Sequence, residues 1–300
     1  MPDRERGTIM ILMRINPPAA ALGNEHAILR GMARDYCVRG FEGPLSIKTV
    51  RRGRALWRTA SGERILEPGR DLILNRAQRY DIEVDSDCVV ETFCIFFRHG
   101  FAEDVSRGCR EPAESLLDDP APAGTVELIE TIETTPASIA DLLPQIEKAA
   151  SVDADTDDLL IELVEALVAR DGNLRGLAFR APAVRASTRS EILRRVLRGR
   201  DRIDSSWDEP ITLEEIATTA GMAPHHFHRS FKHLFGVTPL EYRTRLRVDA
   251  ARRRLEAGDE PIQDVCVAVG FESVTSFTHL FRAHCGISPG RYRAAFRRIR

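Results

Sequence analysis

Apolar and polar residues alternate in short runs between about Leu45 and Phe97, and turn-forming residues separate these runs. The separators are Gly43-Pro44, Ser61-Gly62, Pro68-Gly69 and Asp85-Ser86-Asp87. Runs of roughly five to ten residues with this punctuation are typical of an antiparallel barrel or sandwich. We predict strands over 45–50, 54–59, 63–67, 71–75, 79–84 and 88–97, and a further strand near 126–132 that could close the sheet.

Helical spacing follows these strands, over 137–149 and 156–170. The second segment carries a broad apolar face, formed by Leu159, Leu160, Leu163, Val164, Leu167 and Val168. Such a face packs either on the barrel or against a second chain, and we expect a homodimer through it that Leu163→Asp would weaken. Residues 171–186, with Gly172, Gly176 and Pro182, are predicted to link a domain over 1–170 to a domain over 187–300.

The last part of the chain contains one pattern twice, fifty residues apart. The first copy is Phe227, Phe231, Lys232, Gly236, Val237, Thr238, Pro239, Tyr242, Arg243, and the second is Phe277, Phe281, Arg282, Gly286, Ile287, Ser288, Pro289, Tyr292, Arg293. A helix is predicted over 188–203, and Thr212 with Glu215 forms a capping-box pattern after it. Each copy then places a short helix, 212–220 or 262–269, before a Gly-containing turn and a second helix, 224–235 or 274–285. This order predicts two helix-turn-helix units, in which the second helix enters the major groove.

Each predicted recognition helix has one aromatic face and one polar face. Phe227 and Phe231 lie at i and i+4, as do Phe277 and Phe281, so we expect them in the core. The opposite faces hold the residues that we predict to contact DNA, which are His225, His228, Arg229, Lys232, Val274, Thr275, Thr278, His279 and Arg282.

The charge distribution supports contact with a polyanion at the C-terminal end. The 300-residue chain has a net charge of −2, but Met222–Arg300 holds 14 Lys and Arg against 7 Asp and Glu. Six of the eight histidines lie in the same segment. A basic domain beside an acidic one indicates DNA as a partner, although a solvated arginine-rich surface has the same composition.

Residues 207–297 resemble the DNA-binding domain of the AraC/XylS family of bacterial transcription regulators. The matching residues are Leu213, Ile216-Ala217, Gly221, Arg229-Ser230-Phe231-Lys232, Gly236-Val237-Thr238-Pro239, Tyr242-Arg243, Arg245-Leu246, Ala250, Leu255, Ile262, Val265, Val269-Gly270-Phe271, Ser276-Phe277, Phe281-Arg282, Gly286-Ile287-Ser288-Pro289 and Tyr292-Arg293. The resemblance implies an α+β chain with an N-terminal cupin-like antiparallel barrel and an all-α domain. It also implies a long helix over 240–256 joining the two units, double-stranded DNA and RNA polymerase as partners, and activation or repression of transcription in the cytoplasm, at the nucleoid.

Several positions depart from the pattern of that family. Ala223 stands where a capping Ser is common, so Pro224 at an early helical position would have to compensate. Cys266 replaces an Ala, and His279 replaces a frequent Arg. Arg229 is the best candidate for a base or phosphate contact, with a structural role as the alternative. The run Arg252-Arg253-Arg254 could touch phosphates, but at least one of the three must face inward or along an interface.

The N-terminal segment 36–105 resembles cupin-like sensor barrels, but the motifs that carry this resemblance are generic. Trp57, Tyr80 and Phe93 are predicted to line a pocket for a small effector, with core packing as the alternative. Cys88 and Cys94 lie six apart in one predicted strand and would share a face, which allows thiol sensing. Only His26 and His99 precede the second domain, so we expect neither a metal nor another cofactor.

The leading function is therefore a DNA-binding regulator that responds to an effector. The six cysteines show no CxxC spacing, no apolar run reaches the ~20 residues of a membrane span, and no secretory signal is evident. No catalytic constellation stands out, which argues against an enzyme. Two alternatives stay open: a cupin-like catalyst that carries a DNA-binding tail, and cysteine chemistry coupled to DNA binding as in the alkyl-repair proteins that resemble this family.

Overall fold

The computed structural model describes residues 11–16, 22–111, 124–181, 183 and 185–297. The chain divides into two compact units, with the boundary between Phe179 and Arg180. The first unit is a nearly closed antiparallel β-barrel with helices, and the second is all helical. The predicted fold class is confirmed. Within the residues just given, no helix is both long enough and apolar enough to cross a membrane.

Eight strands of the barrel lie in the part of the chain that the structure describes, and every pairing between them is antiparallel. They are β1 (Ile11–Asn16), β2 (Ala27–Glu42), β3 (Ser46–Arg52), β4 (Ala55–Thr59), β5 (Gly62–Leu66), β6 (Arg70–Leu74), β7 (Arg79–Phe96) and β8 (Ile132–Thr134). The main order is β1-β2-β7-β3-β6-β8, while β4 pairs with β5 and β7. The long strand β7 thereby contributes to both layers of the barrel.

The strand β7 is continuous where the sequence predicted two strands separated by a turn at Asp85-Ser86-Asp87. Its register against β2 shifts there, because Ala33 pairs with Val90 whereas Asp35 pairs with Asp85. The extra residues form a bulged stretch that accommodates turn-forming side chains without ending the strand. The β2 segment, which was not predicted, is the partner along this whole length.

The strand predicted near 126–132 is shorter than expected and forms as β8. In the residues before β8, side chains make the backbone hydrogen bonds that a neighbouring strand would otherwise make. Asn75 bonds both the amide and the carbonyl of Leu128, at 3.0 and 2.8 Å. Asp171 accepts from the Ile129 amide at 2.7 Å, and Arg64 donates to the Glu130 carbonyl at 3.1 Å. These bonds satisfy backbone groups that would otherwise need a neighbouring strand.

Within the described residues, the helices of the first unit are α1 (Phe101–Gly108), α2 (Ala137–Ala140), α3 (Leu142–Ser151) and α4 (Asp157–Leu177). The helix α4 continues seven residues past the predicted end at 170, so 171–177 are helical and not part of a linker. Gly172 and Gly176 lie within this extension, and a Cβ at either position would meet nothing within 4 Å. Neither glycine is therefore required there by close packing, and neither ends the helix.

The apolar face of α4 is buried within its own chain. Leu160, Leu163 and Val164 are 0% exposed and share a core cluster with Phe93 and Ile95 of the barrel. The expectation of a homodimer through this face is wrong, because the barrel already covers it. Leu163→Asp would place a carboxylate in this core and unfold the unit.

The helices described in the second unit are α5 (Ala186–Ser205), α6 (Leu213–Thr219), α7 (Pro224–Phe235), α8 (Pro239–Ala257), α9 (Ile262–Ala268), α10 (Val274–Cys285) and α11 (Pro289–Arg297). The two helix-turn-helix units are α6–α7 and α9–α10. The long helix α8 packs against both recognition helices, α7 and α10. The helix α8 thus follows the recognition helix of the first helix-turn-helix and precedes the second helix-turn-helix.

The duplication extends to the contacts that hold each helix-turn-helix in place. Tyr242 donates to Asp204 on the preceding helix at 2.8 Å, and Tyr292 likewise donates to Glu256. Arg243 donates to carbonyls of the segment before α6, among them Trp207 O at 3.1 Å. Arg293 donates to the carbonyl of Glu260, before α9, at 2.5 Å. The repeated Tyr-Arg pair is thus a structural clamp between successive helices.

Alanine at the two turn glycines should have unequal effects. Gly221 and Gly270 both have positive φ, 63° and 78°. A Cβ on Gly270 would lie 2.4 Å from the carbonyl oxygen of Asp208, whereas nothing lies within 4 Å of one on Gly221. We expect Gly221→Ala to cost about 1–2 kcal/mol from the backbone alone, and Gly270→Ala about 2–4 kcal/mol. Urea unfolding measures both, and equal costs would contradict the steric explanation.

Candidate nucleic-acid interface and barrel cavity

The recognition helices α7 and α10 each have a buried aromatic face and an exposed polar face, as predicted from the sequence. Phe227, Phe231, Phe277 and Phe281 are all 0% exposed. The opposite faces carry eight of the nine residues predicted to contact DNA: His225, Arg229, Lys232, Thr275, His279 and Arg282 are exposed, and His228 and Thr278 are half-buried. Val274 is exposed in the first turn of α10 but lies three residues before Phe277, on the same side of the helix. The structure therefore gathers these eight side chains on two polar helix faces and leaves Val274 beside them, and the contact of all nine with DNA stays a prediction.

Three cations on these faces are available to an anion. Across the described part of the chain, neither an ion pair nor a side-chain hydrogen bond engages Arg229, Lys232 or Arg282. A cation that is already paired must lose its partner before it binds a phosphate, whereas an unpaired one loses only water. The free cations on α7 and α10 are thus favoured for DNA.

The run Arg252-Arg253-Arg254 on α8 is only partly available. Arg254 makes two 2.9 Å contacts with the Glu260 carboxylate. Arg252 donates to the Tyr292 hydroxyl at 3.1 Å, at the edge of α11. Arg253 is exposed, and the described residues offer it no ion pair. Arg253 is therefore available to a phosphate, and Arg252 lies along the contact with α11.

The two recognition helices begin with different caps. Ser273 accepts from the Ser276 amide at 3.4 Å, whereas Ala223 provides no side-chain cap and Pro224 occupies the first turn. Ala223→Ser should add the missing hydrogen bond and raise the free energy of unfolding by about 0.5–1 kcal/mol. Thermal unfolding measures this gain, with Ala223→Val as a control that adds bulk without an acceptor. A stability unchanged by Ser and equal to that of the Val variant would show that Pro224 already compensates.

A second capping box, which was not predicted from the sequence, fixes the start of α8. Thr238 accepts from the Glu241 amide at 3.2 Å, and the Glu241 carboxylate accepts from the Thr238 amide at 2.7 Å. These bonds lower the pKa of Glu241. The signal was present in the sequence as Thr238-Pro239-x-Glu241, the same spacing that identified Thr212 and Glu215. The box sets the direction in which α8 leaves the first recognition helix.

The barrel encloses a cavity of about 220 Å³. Trp57 and Tyr80 line it, as predicted from the sequence. Phe93 does not, because it points to the other side of β7 and packs in the cluster under the helices. Neighbouring Cys94 lines the cavity instead, with Lys48 directly opposite it on β3. Lys48 was not predicted to line the cavity, since a lone lysine in a strand is ordinarily read as solvent-facing.

The two cysteines predicted to share a face, Cys88 and Cys94, differ in their exposure to solvent. Cys94 is 9% exposed and its thiol pKa is raised by burial, whereas Cys88 is exposed in the bulged stretch of β7. A thiol with a raised pKa is neutral at pH 7 and is a poor nucleophile. The arrangement therefore does not support a cysteine pair as a sensor. Within the described ranges, no group of three or more His, Cys, Asp or Glu side chains could hold a metal ion.

Comparison with known proteins gives the family. Residues 216–295, from α6 to α11, match the family model described as a helix-turn-helix domain. The probable transcription factor PqrA of Proteus vulgaris is 33% identical over 86 residues, which are 29% of this chain and 70% of that protein. A putative AraC-like transcription regulator of Streptomyces antibioticus is 33% identical over 82 residues, 27% of each chain. The chain belongs to the AraC/XylS family. The expected resemblance is confirmed.

Other relatives match over a similar share of this chain. AdaA of Bacillus subtilis, described as a bifunctional transcriptional activator and DNA repair enzyme, is 36% identical over 91 residues, 30% of this chain and 43% of that protein. The chain spans between 27% and 43% of the length of the first four relatives that it matches. Among solved structures, the DNA-binding domain of AdpA in complex with a target DNA is 36% identical, with a TM-score of 0.30, over 31% of this chain and 85% of that domain.

Proposed function

We propose that this AraC/XylS chain regulates transcription by binding double-stranded DNA through α7 and α10. The observation that supports this most strongly is the pair of polar recognition faces held by one helix. The helix α8 has 19 residues, which corresponds to about 28 Å at 1.5 Å per residue. Successive major-groove segments on one side of a duplex lie about 34 Å apart. One chain can therefore read two adjacent segments of the major groove.

The two faces have different chemistry and read different bases. The first face presents Arg229 and Lys232 with His225 and His228, so it is the more cationic. Guanidinium and ammonium groups bind phosphates or the acceptor edge of guanine. The second face presents Thr275, Thr278 and His279 with Arg282. Hydroxyl and methyl groups suit hydrogen bonds to base edges and contact with the thymine methyl. The first face anchors the complex, and the second adds selectivity.

A gel shift of the full chain at increasing salt tests this proposal. The DNA should first be enriched from a random pool by the full chain itself. Each phosphate neutralised contributes about −0.9 to the slope of log K against log salt, so three cations with their neighbours predict a slope steeper than about −3. An enrichment that yields no consensus, or an affinity that salt does not change, would contradict DNA binding through these faces.

The barrel is proposed to serve as the effector-binding part of the regulator, and not as an enzyme. Its cavity supports this, because it is lined mainly by apolar side chains and is large enough for a small molecule. RNA polymerase is the proposed protein partner, and the chain would work on DNA in the cytoplasm. If it forms a homodimer, the interface must use a surface other than the buried face of α4.

A further inference from the structure

The cavity of the barrel contains a cation without an anionic partner. Lys48 is 1% exposed and is the charged residue among the described side chains that line the cavity, where Asp and Glu are lacking. Its ammonium lies over the ring of Phe96 at 3.4 Å and 5.2 Å from the ring centre of Tyr80. Burial lowers the pKa of Lys48 to about 8, so the group is still mostly protonated at neutral pH.

The neighbours of Lys48 do not supply the missing charge. Cys94, directly across β3 and β7, has a thiol pKa raised by burial and is uncharged at pH 7. A second donor in the same cavity is also unsatisfied: the indole N–H of Trp57 is buried, and the described residues give it no acceptor. Buried donors are normally paired, so two open donors in one cavity indicate a ligand that brings acceptors.

The other side chains that line the cavity determine the polarity and size of the ligand that it can hold. Leu29, Phe41, Ile82, Val84 and Val90 supply an apolar surface. The volume of about 220 Å³ compares with an apolar cavity of ~150 Å³ that holds one benzene molecule. A ring or short chain with one added acidic group fits this space.

We propose that the effector bound in the barrel is a small apolar monocarboxylate whose carboxylate pairs with the ammonium of Lys48. This inference rests on the proposed role of the barrel as the effector-binding part. Apolar burial of the body provides affinity, while the ion pair with Lys48 provides selection for the acid over its neutral analogues. The indole N–H of Trp57 is a further donor for the bound acid.

Calorimetric titration of the full chain tests the proposal with defined probes. The acids are butyrate, hexanoate, octanoate, benzoate, phenylacetate and 3-phenylpropionate, each paired with its primary amide. At least one acid should bind with Kd below 1 mM, and its amide at least tenfold more weakly. Lys48→Met should remove this preference for the acid, Lys48→Gln should do the same, and Thr92→Val, which alters the cavity wall but keeps the ammonium, should retain it. Circular dichroism confirms that each variant is folded.

Two outcomes would overturn the proposal: no acid binds below 1 mM, or Lys48→Met and Lys48→Gln keep the preference for the acid. The result is separable from DNA binding. A gel shift is run with and without the acid, so a failure under both conditions would contradict the regulator function while the titration still decides the ligand class.

Discussion

Replacing Arg229 and Lys232 together with alanine is expected to lower the affinity for selected DNA by about two to three orders of magnitude. A base contact contributes about 1–3 kcal/mol and a phosphate contact adds to it, so two lost cations account for this range. Both side chains are exposed on α7 and have no ion pair to lose among the residues that the structure describes. The melting temperature should therefore hardly change, and the slope of log K against log salt should become less steep by about 1–2.

The matched control is Arg254→Ala on α8. Arg254 is also exposed and cationic, but both of its guanidinium contacts go to Glu260 at 2.9 Å. Its removal changes the net charge of the domain by one without removing a free cation from a recognition face. DNA affinity should stay within about threefold of the parent, allowing for the long-range effect of one charge. The double variant removes two charges and the control one, so a free-energy loss in the control of half that in the double variant or more would show that net charge, and not the α7 face, carries the binding.

Replacing Arg170 with methionine is expected to destabilise the barrel by about 3–5 kcal/mol. Arg170, on α4, contacts the Asp71 carboxylate of β6 at 2.7 and 2.9 Å. Asp71 is 0% exposed, and the Arg170 side chain is 13% exposed. The variant leaves a buried carboxylate without its cation, which is the costly way to break a buried ion pair. Urea unfolding of the full chain, followed by a barrel signal such as Trp57 fluorescence, measures the loss.

The pH dependence identifies the cause of this loss. Burial already raises the pKa of Asp71, and Arg170 opposes that effect. Without Arg170 the folded-state pKa rises further above the unfolded value of about 3.9. The cost is therefore full at pH values above the folded pKa and shrinks as the pH falls toward the unfolded value.

Two further variants serve as controls for Arg170→Met. Arg175→Met removes a half-exposed arginine one turn further along α4 that pairs with Asp171, and it should cost less than about 1 kcal/mol. Asp71→Asn combined with Arg170→Met removes the buried charge and should recover part of the lost stability. A cost independent of pH, or no recovery in the double variant, would assign the loss to packing by the arginine stem instead.

The recognition helices could be predicted because local patterns determine them. Phe227 and Phe231, like Phe277 and Phe281, repeat at helical spacing before a left-handed glycine, and the fifty-residue offset shows the pattern twice. Each local preference agrees with the tertiary role of its helix, and such consistent segments are the most predictable ones. The boundaries of α7 and α10 therefore agree with prediction to the residue.

The side of a barrel strand could not be predicted, because both faces of β7 are buried. Phe93 and Ile95 pack under the helices while Cys94 and Phe96 face the interior, so alternation between apolar and polar residues is lost. The prediction that Phe93 lines the cavity is wrong for this reason. The apolar face of α4 likewise predicts burial, but the sequence does not show whether the barrel or a second chain covers it.

Contacts between distant segments left no signal in a single sequence. Asp71 and Arg170 are 99 residues apart, and neither stands in a motif. Lys48 looks like an ordinary surface lysine until the strand pairing places it across from Cys94. The lining of the barrel cavity is thus set by tertiary structure, whereas the recognition helices are set by a local repeat.

The most direct test of the regulator function is a hydroxyl-radical footprint of the full chain on DNA selected from a random pool. Two protected segments per bound chain are predicted, with centres about one helical turn, or roughly 10 base pairs, apart. Arg229→Ala with Lys232→Ala should remove protection of one segment first, and Arg282→Ala should weaken the other. A single protected segment that responds equally to both sets of substitutions would contradict reading by two recognition helices.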